Sequence, residues 1–358
     1  MTEAAQARPD SSGAAGEPLL QIEDVSMDFP IRGRGLFARR RGTVHAVNGV
    51  DLTVQPGEVL GVVGESGCGK TTLGRCVVGT ERPTSGRILY RAEDGDVVDL
   101  ATLTKRQLRP YQHQIRVIFQ DPFASLNPRL TIFQTIADPL IRHGLAQGAE
   151  VEARVVDMMQ RVGLSPAHRD RFPHAFSGGE RQRISIARAL VVRPRLVIAD
   201  EAVSALDVSI RAQILNLLRD LQEEFELTLM FISHDLSVVQ NICHRVAVMY
   251  LGRIVELSDT ESLYAAPQHP YTEALLSAVP RADPRLRDSG RRIALSDEFP
   301  DPSNLPTGCF FHTRCPYAQD RCSAETPQLR LPDGESTHRV ACHFAEDLTL
   351  QGVQHHHP

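Results

Sequence analysis

No apolar run in this 358-residue chain approaches the roughly 20 residues a membrane-crossing helix needs. The polar N-terminus has no secretory signal pattern either, so the expectation is a cytosolic chain that can still dock on a membrane protein. Low-complexity sequence is confined to residues 1–18, rich in Ala, Gly, Ser and Glu, which reads as a disordered leader. A long coiled-coil insertion is missing, as is any Cys-x2-Cys pair of the zinc-ribbon kind. Seven cysteines in a chain without an export signal argue against structural disulfides. A large excess of one charge is also lacking, since the formal net charge is -5. Arginines do cluster, at Arg32, Arg34, Arg39, Arg40 and Arg41 and again at Arg281, Arg285, Arg287, Arg291 and Arg292; these read as solvated loops rather than as a nucleic-acid or anionic-lipid surface. What is there is 42% apolar, enough for two cores, so a main domain with an appendage is expected.

Alternation over Leu20–Phe29 and the segment Ala46–Val54 predict antiparallel edge strands separated by a Gly/Arg loop at 32–42. Val59–Val63 is a short apolar strand that runs into a glycine-rich loop, followed by a helix from Lys70 to Gly79. Ile115–Phe119 predicts another strand. Between Asn127 and about Arg169 the spacing of Ile132, Ile136 and Leu140, then of Val151, Val155, Met158, Met159 and Val162, predicts a helical subdomain inserted into the core. A further helix is expected to start after Ser177 and run through Leu190, stopped by Pro194; Leu196–Ala199 then supplies a buried strand. Helix 208–224 and strands 228–232 and 246–250 complete a mostly parallel α/β sheet with an antiparallel edge.

Gly64-Glu65-Ser66-Gly67-Cys68-Gly69-Lys70-Thr71, followed by Thr72, fits the phosphate-loop pattern in its required strand–loop–helix context. Its glycines let successive N–H groups turn inward around a β-phosphate at the positive end of a helix. Lys70 is expected to bridge β- and γ-phosphates and Thr71 to ligate Mg²⁺. Cys68 reads as a small filler of the loop rather than a nucleophile, since no His or Asp partner accompanies it. Asp200 and Glu201 at a strand end are placed to hold Mg²⁺ through water and to polarise the attacking water, although such a pair alone could equally cap a helix. His234, after a core strand, is read as a γ-phosphate contact, with a surface or satisfied core histidine as the alternative. Gln120 can coordinate Mg²⁺ or the lytic water, or simply form a turn before Asp121-Pro122.

Ser177-Gly178-Gly179-Glu180 opens a helix containing Arg181, Arg183 and Arg188, and its N–H groups form a second anion site. A single nucleotide site needs only the loop and the acids. A third element implies a nucleotide shared head-to-tail between two such subunits, with hydrolysis acting as a mechanical switch.

GESGCGKTT at 64–72, Gln120, FSGGERQR at 176–183, LVIADE at 196–201, SALD at 204–207 and His234 together resemble the ATPase subunits of ABC transporters over about residues 20–255. The resemblance implies a P-loop NTPase core of ABC type binding ATP and Mg²⁺, with Glu201 as general base. It also implies that Ser177, Gly178 and Gly179 serve a partner's ATP, and that Asp207 lies in a loop communicating across the dimer. Phe29 is the candidate for stacking on adenine, with Phe37 and His45 as alternatives and strand packing as the other use of Phe29. Two departures stand out: Glu180 replaces the family's usual Gln, and Ala202-Val203 its usual Pro-Thr. Weakened or modulated hydrolysis is the expectation.

FQDPFASLNPR at 119–129 and PQHPYTEALLSAVP at 267–280 resemble the oligopeptide and dipeptide importers, in particular the second of their two ATPase subunits. The implied partners are a second, homologous ATPase subunit, two membrane permeases docking beside residues 120–140, and an extracytoplasmic solute-binding protein, at the cytoplasmic face of a bacterial membrane. Nickel, glutathione and some sugar importers share the subclass. A soluble ATPase acting on DNA or ribosomes and a hydrolytically weak regulatory subunit are the rival readings; no nucleic-acid partner is expected.

Cys309, Cys315, Cys322 and Cys342 fall in the last fifty or so residues. Four thiolates can surround Zn²⁺ or a [4Fe–4S] cluster, and a segment with little apolar sequence would gain folding energy from such a centre. His343 is a possible substitute ligand. The resemblance to peptide-importer ATPases, some with a [4Fe–4S] cluster in this region, makes the cluster the expectation, with no metal at all as the next reading and zinc after that. The expected division is therefore a leader at 1–18, an ATPase domain at 19–258 with a helical subdomain at about 127–190, a linker with helices at 259–306, and a small cysteine-rich C-terminal extension at 307–350.

Overall fold

The structure is a computed structural model that describes residues 16–32, 40–121, 125–279, 293, 300–332, 334 and 337–353. Most of the expected leader, Phe37, Arg34, Arg39, the arginines from Arg281 to Arg292, and His355 to His357 lie outside the described residues.

Strands β1 (Leu20–Arg32) and β2 (Arg40–Val54) pair antiparallel, with Leu20 opposite Val54 and Phe29 opposite Val44. β3 (Val59–Val63) leaves this layer, and β4 (Ser85–Arg91) and β5 (Val97–Asp99) return to it in the order β2-β1-β4-β5. β6 (Ile115–Ile118), β7 (Leu196–Asp200), β8 (Thr228–Ser233), β9 (Arg245–Tyr250), β10 (Arg253–Asp259) and β11 (Arg339–Val340) join β3 in a second sheet, ordered β11-β10-β9-β3-β8-β7-β6. From β9 to β6 its strands run parallel, while β10 and β11 close the other edge antiparallel. The expected antiparallel edge is thus a four-stranded layer of its own.

The central strands are unbroken apolar runs because both of their faces are covered. On β3, Leu60 and Val62 face one core and Val59 and Val63 the other; on β8, Met230 and Ile232 alternate in the same way with Leu229 and Phe231. The first core is closed by the antiparallel layer, through Leu20, Ile22, Val47 and Leu52, and by helix Lys70–Val77. The second is closed by the helical subdomain, whose helices Ile132–Arg142, Ala149–Arg161 and Gly178–Leu190 pack on one another. Helix Ile132–Arg142 starts with a capping box between Thr131 and Gln134, which satisfies two otherwise orphaned N–H groups.

β11 shows where the C-terminal segment goes. Val340 pairs with Glu256 and the Ala341 N–H donates to the Val255 carbonyl at 2.8 Å, so this segment is stitched to the edge of the main sheet. Among the described residues no helix is long and apolar enough to cross a membrane.

Candidate active site

The chain turns off the end of β3 at Gly64, which has φ +151°. A Cβ there would sit 2.1 Å from the Met249 carbonyl oxygen, and one on Gly69 (φ +106°) would sit 2.0 Å from that of Ala46. Strands β9 and β2 therefore press on the loop closely enough that only glycine fits. Helix Lys70–Val77 begins without a side-chain cap, leaving its first N–H groups for an anion. Lys70 is buried, and its ammonium donates to the carbonyls of Gly64 and Glu65, each at 2.8 Å. Ser66 and Gly67 are exposed on the loop, and Thr72 is half-buried in the first helical turn. Burial raises the Cys68 thiol above its ordinary range against the opposing pull of Lys70, so it is a neutral loop filler.

Three parallel strands deliver the remaining groups at their carboxyl ends, where α/β sheets bind ligands. Asp200 ends β7 and accepts a hydrogen bond from Thr71 Oγ1 at 2.9 Å. Burial raises its carboxyl above the ordinary range, partly offset by that bond. Two oxygens thus converge where a hard cation could sit. Glu201 follows in a left-handed turn, φ +47°, with its N–H donating to the Ile232 carbonyl. Its Oε2 accepts from Gln120 Nε2 at 2.7 Å, just beyond β6, and its Oε1 lies 3.1 Å from Nδ1 of His234, just beyond β8. Ala202 and Val203 fill the core beneath this turn.

Ser177 caps helix Gly178–Leu190 through a reciprocal box: its Oγ accepts from the Glu180 N–H at 3.3 Å, while Glu180 Oε2 accepts from the Ser177 N–H at 2.9 Å and its hydroxyl at 2.8 Å. These bonds hold the Glu180 carboxyl below the usual range. Gly179 lies against Ile210, where a Cβ would meet Cγ2 at 2.7 Å. Lys70, Thr71 and Asp200 lie at one end of the sheet with Gln120, Glu201 and His234, whereas the hydrogen bonds of the Ser177–Glu180 turn are local to it. Asp207 is exposed at the start of helix Val208–Phe225. Phe29 is half-buried against the antiparallel layer, beside an Asp28–His45 pair at 2.7 Å.

The sequence reading gives no individual role to Glu65, Tyr271 or Arg314, yet all three meet at the phosphate loop. Arg314 donates to both carboxylate oxygens of Glu65, and the Glu65 N–H donates to the Tyr271 hydroxyl at 2.8 Å. The one signal for such a partner is the acidic side chain in a loop built for a polyanion.

The expected iron–sulfur or zinc centre is corrected by the structure. Cys309, Cys315, Cys322 and Cys342 line one small cavity with Phe311 and His343, but among the described residues no group of three or more His, Cys, Asp or Glu could hold a metal ion. All four cysteines are free. The expectation assumed a segment too poor in apolar residues to fold without a centre. Instead Phe311 is 1% exposed in the main core and β11 extends the main sheet, so docking supplies what a metal was expected to supply.

Known proteins resemble this chain over most of its length. The family model described as ABC transporter matches residues 47–204, and the one described as oligopeptide/dipeptide transporter, C-terminal region, matches residues 255–322. The oligopeptide transport ATP-binding protein AppF of Bacillus subtilis is 49% identical over 334 residues, covering 93% of this chain and 99% of that protein. The probable peptide ABC transporter ATP-binding protein y4tS of Sinorhizobium fredii is 51% identical over 91% of this chain and 90% of its own length. Among solved structures, the dimeric post-hydrolysis state of the ATP-binding cassette MJ0796 with ADP and Pi superposes with a TM-score of 0.58 at 25% identity, over 67% of this chain and 98% of that one.

Proposed function

The chain belongs to the ATP-binding subunits of ABC transporters, in the oligopeptide/dipeptide importer family, and from that premise we propose how its residues hydrolyse ATP and drive peptide import. Gly64, Ser66, Gly67, Cys68, Gly69, Lys70, Thr71 and Thr72 form the cradle for the phosphates, with Lys70 as the counter-charge to the β- and γ-phosphates. Mg²⁺ would be held by Thr71 and Asp200 with Gln120, and would neutralise charge on the phosphate oxygens. Glu201 takes a proton from the attacking water, and Gln120 and His234 fix its carboxylate, His234 also serving the γ-phosphate. Phe29 is assigned to adenine.

The observation that carries this reading is the convergence of Gln120, His234 and Glu201 from three strand ends, beside the Thr71–Asp200 pair. Ser177, Gly178, Gly179 and Glu180 are assigned to a nucleotide held by a second, homologous ATPase subunit, in line with the dimer described for MJ0796. Two permease subunits and an extracytoplasmic solute-binding protein complete the assembly, with this chain at the cytoplasmic face as the second ATPase subunit type. The division at 19–258, 259–306 and 307–350 is part of the same proposal.

The test is reconstitution of the purified assembly in vesicles, with ATP hydrolysis measured against di- to penta-peptides, nickel, glutathione and sugars presented with the binding protein. Stimulation by peptides alone is expected. Stimulation by one of the other solutes instead would reassign the cargo, and full ATPase activity by isolated single subunits would remove the shared-nucleotide arrangement.

A further inference from the structure

We propose that Arg314 is a positioning residue for ATP: it neutralises Glu65 and ties the geometry of the phosphate loop to the C-terminal segment. The inference rests on the assignment of Gly64–Thr71 to the ATP phosphates.

Every polar group of Glu65 is engaged. Its carboxylate accepts from the Arg314 guanidinium at 2.7 and 3.0 Å, its N–H donates to Tyr271, and its carbonyl accepts from Lys70. The ammonium assigned to the β- and γ-phosphates is therefore one residue removed from Arg314. The two side chains of the ion pair differ in exposure, 4% for Arg314 and 28% for Glu65, so this pair is better shielded from water than a surface one.

Arg314 is itself held in place. It closes a 3₁₀ turn, His312–Arg314, with its N–H donating to the Phe311 carbonyl at 2.9 Å, and its guanidinium lies 5.9 Å from the centre of the Tyr250 ring. Phe311 packs 5.3 Å from Tyr250 and 5.4 Å from Tyr271, ring centre to ring centre. The C-terminal segment and the phosphate loop therefore rest on one aromatic cluster.

The electrostatics give the proposal its direction. A carboxylate in a loop that receives a polyanion opposes binding unless a cation cancels it. Removing Arg314 alone exposes that opposition, and removing the Glu65 charge as well relieves it. A residue that merely supported the fold would show no such relief.

The experiment uses the full chain in the assembled transporter, comparing wild type with R314M, R314K, E65Q, the double variant E65Q/R314M, and K70A. Mant-ATP affinity with Mg²⁺, KM and kcat for ATP, and the melting temperature are measured for each. R314M is expected to weaken mant-ATP binding and raise KM about tenfold while kcat changes less than about threefold, with R314K intermediate and E65Q/R314M within about threefold of wild type. The proposal is overturned if R314M binds ATP as wild type does, or if the double variant is no better than R314M. Should R314M fail to assemble, E65Q/R314M decides: an assembled double variant that binds ATP within about threefold of wild type supports the proposal, and a double variant that also fails to assemble or binds ATP weakly overturns it. K70A with wild-type affinity would instead sink the assignment of the loop, an outcome distinct from either.

Discussion

Glu201 Oε1 and His234 Nδ1 lie 3.1 Å apart, joining the ends of β7 and β8 across 33 residues of chain. Nδ1 of the imidazole can donate to the carboxylate and Gln120 donates from the other side, so the base is fixed before any water reaches it. Glu201→Gln keeps an oxygen for His234 but cannot take a proton. It should leave mant-ATP affinity within about threefold and lower turnover of the assembled transporter at least about a hundredfold, with His234→Ala adding little on top of it. Wild-type turnover by Glu201→Gln would show that another group is the base.

Where an element or motif is a run of adjacent residues, the sequence alone locates it. Val59–Val63, the glycines that β9 and β2 press upon, and Lys70 are contiguous, and both faces of the strand are covered, so its apolar run is unbroken. Gln120 and His234 could be placed because each follows a strand, though only the fold brings both to Glu201. Arg314 and Glu65 are 249 residues apart, and nothing local to Arg314 distinguishes it from the other arginines. The cysteine spacing misled for a physical reason: one buried aromatic, Phe311, and a two-residue strand, Arg339–Val340, anchor a segment whose composition looked too polar to fold unaided.

Glu180 is turned back onto Ser177, and the bonds that hold its carboxyl below the usual range keep it ionised at any pH used for an ATPase assay. Its negative charge therefore stays at the start of the helix assigned to the partner's nucleotide. Glu180→Gln retains an acceptor for the capping box but removes the charge, so turnover in the assembled transporter should rise about two- to fivefold, with the gain shrinking as salt is added. Glu180→Ala loses the box and should destabilise the chain by about 1 kcal/mol in urea unfolding. A Glu180→Gln transporter slower than wild type at low salt would count against a repulsive role.

His269 is buried under the same aromatic cluster, its ring 5.8 Å from Phe311, and its Nδ1 accepts the Tyr271 N–H at 3.1 Å to cap helix Pro270–Ser277. Burial lowers its pKa from 6.5 to about 3, so the folded chain keeps it neutral while the unfolded chain takes up a proton as pH falls through 6.5. Stability is then full above about pH 6.5 and is lost progressively on acidification toward the folded value, by about 2–3 kcal/mol between pH 6.5 and 4.5. His269→Asn offers a side-chain oxygen to the same N–H and does not titrate. Urea unfolding of both chains at pH 7.5, 6.5, 5.5 and 4.5 cancels the titrating groups they share, and wild type should lose stability relative to the variant only below about pH 6.5. A gap between the two that stays constant with pH would mean that His269 takes up its proton as readily in the fold as in the unfolded chain. Because Tyr271 also holds the Glu65 N–H, acid that loosens this cap should weaken mant-ATP binding in wild type before it does so in the variant.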